Sequence, residues 1–387
     1  MTTVTSINPQ MLQWARQRAG IGTSALRKKF PKLPAWEDGV VFPTLRQLED
    51  FSRATWAPLG YFFLAAPPDE KLEIPDFRKT ALKGVRRPSP NLLDTLQEMQ
   101  RRQGWLSDYL AEDGAAPLTF IGSATLNDDP KRVAQAIRKS LSLDSAWANG
   151  CRTWTEATTL LMEKTNEAGI VAICNGVVGN NTHRKLDVEE FRGFVLSDPY
   201  APFVFINGAD AKGAQMFTLA HELAHLWLGG GGVINFRMML PEDFKEERFC
   251  DSVAAEFLVP AAEFQAVWDE AQSHEDPFQY LARCFKVSQL VIARRALDFR
   301  YMSREDFFDF YEHHLEAVAE HAAQQKSGGN FYATANHRIG LAFGAHVVRA
   351  ARSGRLLYRD AYRLTGLTGC TFDRYAEKLS IRLGVPL

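Results

Sequence analysis

The chain reads as a mainly α fold with one small β-sheet, an α+β architecture, on three observations. Apolar residues recur at helical spacing through 11–64 and again through 90–165. Between 169 and 207 that period gives way to short β-branched and aromatic runs broken by Gly, Asn, Asp and Pro, the pattern of strands joined by turns. Beyond 260 the helical spacing returns.

Taken in order, MLQWARQRAG and TLRQLEDFSRA carry the first stripes, and Pro43 with Thr44 supplies a start signal for the second. The Pro-rich AAPPDEKLEIPDF, 65–77, then breaks the pattern. NLLDTLQEMQRRQGWLSDYLAE, DPKRVAQAIRKSLSL and TWTEATTLLMEKTNEAG predict amphipathic helices. GIVAIC, FRGFVLSD and PFVFIN predict the strands. The helix that carries FTLAHELAHLWLG, 217–229, follows the last of them directly, with Asp210 as its N-cap and Gly229 as its stop. PFQYLARCFKVSQLVIARRALDF and, after the flexible QQKSGGN, GLAFGAHVVRAARSG predict further helices. There is no internal repeat or low-complexity tract. These breaks divide the chain into domains at 1–66, 90–264 and 265–387, with a linker at 67–89.

A chain of 387 residues can bury the cores of two or three domains without disulfide support. A net charge of -1 and a pI near 6.8 give no global reason to expect a nucleic-acid or membrane partner. Cys151, Cys174, Cys250, Cys284 and Cys370 are scattered without CxxC spacing, and MTTVTSINPQ lacks the blocks of a signal peptide. A reduced, cytoplasmic protein is expected. No apolar run approaches the roughly 18 to 20 residues that span a bilayer.

The run 217–229 places His221, Glu222 and His225 among leucines, alanines and a tryptophan. Positions four apart share a helix face, so His221 and His225 can offer ring nitrogens to one zinc ion. Glu222, displaced by about 100° from His221, suits a base acting on a metal-activated water rather than a ligand. The bland alternative is two core histidines satisfied by carbonyls, but a glutamate and two histidines in so apolar a helix would be costly to leave unpaired.

A catalytic zinc usually takes a third protein ligand. EERFCDSVAAEFLVP, 246–260, predicts a second helix with a core-facing stripe of Phe249, Cys250, Val253, Ala254 and Phe257. Glu246 and Glu247 both border it, and periodicity does not choose between them. Asp251, one turn beyond Glu247, does: it could accept from the free nitrogen of a ligating histidine. On that reading Glu246→Ala should stay close to the parent.

With those residues in view, 165–262 resembles the ImmA/IrrE family of zinc metallopeptidases, whose architecture is similar to the thermolysin-like gluzincins. The resemblance implies a gluzincin-like core, His221, His225 and Glu247 as zinc ligands, Glu222 as general base, and Asp251 supporting a ligating histidine. It also implies that FRGFVLSD lines the cleft as an edge strand able to hold a peptide by main-chain hydrogen bonds. An ordinary strand covered by another part of the chain is the other reading of that segment. His183 and Tyr200 are candidates to stabilise an oxyanion, against the commoner reading of surface or loop residues.

The N-terminal region is similar to XRE-type helix-turn-helix domains, through Trp36-Glu37-Asp38-Gly39 and Pro43-Thr44-Leu45. Pro31 and Pro34 interrupt the segment that would form a recognition helix. Arg27, Lys28, Lys29 and Lys32 could contact DNA phosphates or simply form a solvated face. The C-terminal helices offer no catalytic grouping. His313 and His314 are adjacent and point about 100° apart, so solvent exposure is expected of them. Such extensions resemble sensing or partner-binding modules.

The expectation is therefore a cytoplasmic zinc-dependent endopeptidase with DNA at most a weak partner and no membrane, and the resemblance implies that it cleaves a repressor or antitoxin-like regulator in a stress response. The rival, from another class, is a transcriptional regulator, or the antitoxin of a toxin–antitoxin pair, that uses the metallopeptidase fold as a scaffold. The intact Glu222 favours the enzyme.

Overall fold

The computed structural model describes residues 3–68, 88–230, 232–234, 245–322 and 337–384. Most of the expected linker at 67–89 and the QQKSGGN segment lie outside them. The chain divides into two compact units, Met1–Gln97 and Glu98–Leu387. It is mainly α with a small sheet.

The first unit holds α1 (Pro9–Arg18), α2 (Thr23–Arg27), α3 (Leu33–Glu37), α4 (Leu45–Thr55) and a 3₁₀ turn at Leu59–Phe63. Thr44 starts α4 through a capping box, its hydroxyl accepting from Gln47 N while the Gln47 side chain accepts from Thr44 N. Phe51 forms the centre of the small core, with the rings of Phe30, Trp36 and Phe62 within 5.4, 6.4 and 5.8 Å. The Trp-Glu-x-Gly residues have structural work here. Trp36 is buried, Glu37 pairs with Arg16 at 2.7 Å, and Gly39 ends α3 with φ +69°.

The division between the units falls within α5 (Pro90–Glu112). After it come α6 (Pro130–Ser140), α7 (Trp154–Glu167), β1 (Val171–Asn175), the hairpin strands β2 (Val177–Val178) and β3 (Asn181–Lys185), β4 (Gly193–Leu196) and β5 (Phe203–Asn207). Next are α8 (Lys212–Leu228), β6 (Gly232–Ile234) and α9 (Lys245–Leu258). The helices that follow are α10 (Ala261–Ala271), α11 (Pro277–Phe285), α12 (Gln289–Asp298), α13 (Arg304–Ala322), α14 (Leu341–Arg352), α15 (Tyr358–Thr365) and α16 (Cys370–Leu383).

The main sheet runs β1-β5-β4-β6. β1 and β5 are parallel, with Val171 opposite Phe203, and β4 is antiparallel to both its neighbours. β4 is wholly buried, so FRGFVLSD lacks the alternation of a half-exposed strand. α6, α7, α8 and α9 pack together, and α7 and α8 lie against the strands. On the aromatic side Phe194 stacks on Phe205 at 4.9 Å, and Phe343 of α14 meets Phe203 edge-on at 5.7 Å. Gly340 permits that approach: it has φ +87°, and a Cβ there would lie 3.0 Å from Val171 Cγ1.

Of the two readings of FRGFVLSD, the structure has the covered strand. β6 pairs along β4, Phe194 opposite Val233, so β4 is an inner strand and not the edge that the resemblance implies. The physical reason is proximity. The chain leaves the left-handed cap of α8 at Gly229 and reaches β6 within a few residues, close enough to add a strand beside β4.

Candidate metal centre

α8 is the most enclosed helix near the sheet, buried at nearly every position from Gly213 to Trp227. Its start differs from expectation. The N-cap position is Ala211, with no side-chain cap. Asp210 instead accepts from the adjacent Ala211 N and pairs with Arg192 at 3.2 Å, so its carboxylate is engaged before it can reach the first turn. Gln215 ties the entry down by donating to the Gly208 and Asp210 carbonyls. At the other end Gly229, at φ +73°, closes the helix as predicted. Gly122 N and Ala124 N donate to the Leu226 and Trp227 carbonyls, satisfying groups that a helix end leaves open.

His221 and His225 face each other across one turn, Nε2 to Nε2 at 3.0 Å. α9 packs on α8 and brings Glu247 to both: Oε2 lies 3.3 Å from His221 Nε2, and Oε1 lies 3.6 Å from His225 Nε2. Asp251 Oδ1 lies 3.0 Å from His221 Nδ1. Glu246 Oε1 lies 3.5 Å from His225 Nδ1. The histidines are sealed, whereas the Glu247 and Asp251 side chains are 23% and 33% exposed, so solvent approaches from the first turns of α9.

Glu222 is fully buried, and both its carboxylate oxygens lack a hydrogen-bond partner among the described residues. Burial pushes its carboxyl up to about 7, against the pull of His225 and His221. It lies against β4, where Gly193 makes room. A Cβ at 193 would come within 2.5 Å of Thr218 Cγ2, 2.9 Å of Phe205 O and 3.0 Å of Glu222 Oε1. Gly193→Val is therefore expected to cost about 1–3 kcal/mol by overpacking. A denaturant midpoint checks this, and one equal to the parent's would show that α8 and β4 can separate freely.

The charges around the histidines favour a cation at their centre. Burial works against a charged His221, but its bonds to Asp251 and Glu247 outweigh that and raise its pKa. Burial also opposes charge on His225, whose pKa is nonetheless raised by Cys250, Glu246 and Glu247. Glu247 resists protonation despite its burial, because His221 and His225 hold its carboxyl below the usual range. Yet two protonated rings would set like charges 3.0 Å apart. One ion shared by both rings and Glu247 removes that conflict. Their three ligand atoms lie within 4.8 Å of one another, a group able to hold a metal ion. Two imidazoles and a carboxylate fit a zinc-type donor set.

The other predicted residues stand apart. His183 is exposed on β3 and Tyr200 is half-buried with its amide on Asp198; neither side chain bonds to the cluster. His313 is exposed and bonds the Asp309 carbonyl, while the His314 side chain lies outside the described residues. Arg27, Lys28, Lys29 and Lys32 are all exposed around the junction of α2 and α3. These helices have five residues each, with Pro34 in the first turn of α3 and no long helix to carry base-reading side chains.

A sheet backs a helix that offers two imidazoles, the next helix adds a carboxylate, and this group could hold a metal ion, as a metallopeptidase-type domain requires. Comparison with known families agrees: residues 174–297 match the Peptidase M78 family model, described as an IrrE N-terminal-like domain. The matched segment contains His221, Glu222, His225, Glu247 and Asp251. Residues 339–378 match a second model, described as a domain of unknown function, DUF8813. No curated protein and no solved structure matches the chain.

Proposed function

We propose that the chain is a zinc-dependent endopeptidase of the cytoplasm that cuts a specific regulatory protein, repressor-like or antitoxin-like. The observation that carries this reading is a buried Glu222, without a hydrogen-bond partner among the described residues, beside the convergent His221, His225 and Glu247. When bound, zinc supplies Lewis acidity, polarising the scissile carbonyl and acidifying water. His221 and His225, through Nε2, and the Glu247 carboxylate would hold it. Asp251 accepts from His221 Nδ1 and keeps that ring in orientation. Glu222 takes a proton from the attacking water and returns it to the leaving amine. Burial raises the Glu222 carboxyl and a zinc ion beside it would lower it again, so the two influences together would set its readiness to take up and release a proton. No helix among the described residues is long and apolar enough to cross a membrane.

The experiment is direct. The purified protein, loaded with zinc, is incubated with the regulatory proteins encoded beside its gene, and the fragments are identified by mass spectrometry. Discrete cleavage that a chelator abolishes and zinc restores supports the reading. Stable binding with no cleavage would favour the scaffold instead.

For the N-terminal unit the expected result is weak, salt-sensitive DNA binding without sequence preference. The exposed Arg27, Lys28, Lys29 and Lys32 offer phosphate contacts, which lose affinity steeply with salt and carry no sequence information. Gel-shift titration against the protein's own promoter region measures it. Tight, selective binding at physiological salt would overturn this expectation.

A further inference from the structure

We propose that Glu246 is the positioning residue for His225, orienting its ring as Asp251 orients that of His221. This rests on the metal-centre reading above. Both rings turn Nε2 toward the centre they share, which leaves each Nδ1 to be held from behind. His221 Nδ1 has Asp251 Oδ1 at 3.0 Å. His225 Nδ1 has Glu246 Oε1 at 3.5 Å, while its Nε2 has Glu247 Oε1 at 3.6 Å. Adjacent glutamates on α9 thus address opposite nitrogens of one imidazole.

The chain leaves room for that contact at Gly230. A Cβ there would come within 3.0 Å of Glu246 Oε1 and 3.8 Å of His225 Nδ1. Gly230 also donates its N–H to the His225 carbonyl, so the turn that ends α8 is closed directly over this pair. One other group competes for the ring. The buried Cys250 thiol on the same helix also acts on His225, and raises its pKa more than Glu246 does. Sulfur is a weak acceptor and a carboxylate a strong one, so Glu246 is the group that holds the Nδ1–H. On this reading Glu246→Ala departs from the parent, where the sequence alone predicts that it stays close.

The test uses the full chain and zinc itself, with affinity measured by competition against a chromogenic chelator. A second readout is the visible spectrum of the cobalt(II)-substituted protein, which reports ligand geometry without catalysis. Loss of an outer partner of a ligating histidine weakens metal binding by about 10- to 100-fold. The long contact and the 37% exposure of Glu246 place the expected loss for Glu246→Ala near tenfold, with a shifted cobalt spectrum. Glu246→Gln, which keeps an acceptor oxygen, should recover most of both. Parent-like zinc affinity and spectrum in Glu246→Ala would overturn the proposal. So would a loss seen only in Cys250→Ser, which would make the thiol the orienting group. If the parent binds no zinc, the metal-centre reading itself fails, and this proposal with it.

Discussion

Glu222→Gln is expected to hold zinc as the parent does and to lower peptide cleavage by at least about 10²- to 10⁴-fold, the contribution of a positioned base. The amide matches the carboxylate in shape but cannot take up a proton. Because neither oxygen of Glu222 has a partner among the described residues, the change breaks no hydrogen bond described there. His221, His225 and Glu247 stay as they are. The comparison needs zinc content by elemental analysis and cleavage rate on the same preparations. Equal rates in variant and parent would end the peptidase reading. Zinc lost from the variant would mean that Glu222 serves as a ligand.

Glu247→Ala is expected to empty the centre. Glu247 is the only carboxylate within 4.8 Å of the ligand atoms of both histidines among the described residues. Without it two imidazoles remain, too few for a stable zinc site in which three protein ligands are usual. Asp251→Ala should be milder, at about 10- to 100-fold in affinity, because it touches only the far nitrogen of His221. Zinc retained after dialysis against a graded chelator series ranks the variants. Glu247→Ala should fall first and Asp251→Ala next. A Glu247→Ala protein that keeps its zinc would move the third ligand elsewhere.

Much of this is legible in the amino-acid sequence. The GIVAIC and PFVFIN runs form strands, as their β-branched and apolar residues predict, and both are almost wholly buried. The stop at Gly229 needed only the left-handed conformation that glycine adopts freely. The spacing of four between Glu247 and Asp251 was enough to put both on the side of α9 that meets His221.

What escaped the sequence had weak or non-local signals. β3, NTHRK, is polar and mostly exposed, so no alternation marks it as a strand. β6 is three residues long, and its place beside β4 depends on partners nearly forty residues earlier, from Gly193 to Val195. Residue type alone predicts Asp210 as a cap, but Arg192 supplies a competing charge that no local rule reveals. Glu246 and Glu247 could be separated by role only once the orientation of the His225 ring was known.

The complete enclosure of Glu222 bears on the choice between enzyme and scaffold in a way that geometry alone does not. A buried carboxyl without a partner is a standing thermodynamic liability, and an apolar side chain of similar size would relieve it. Drift under selection for folding alone would favour that replacement, since most proteins lie well short of their stability optimum and such gains are easily reached. A binding scaffold has no use for an acid at this position, whereas a hydrolase does. On the peptidase reading, catalysis would sustain the frustration at position 222; on the scaffold reading, a folding requirement alone would erase it.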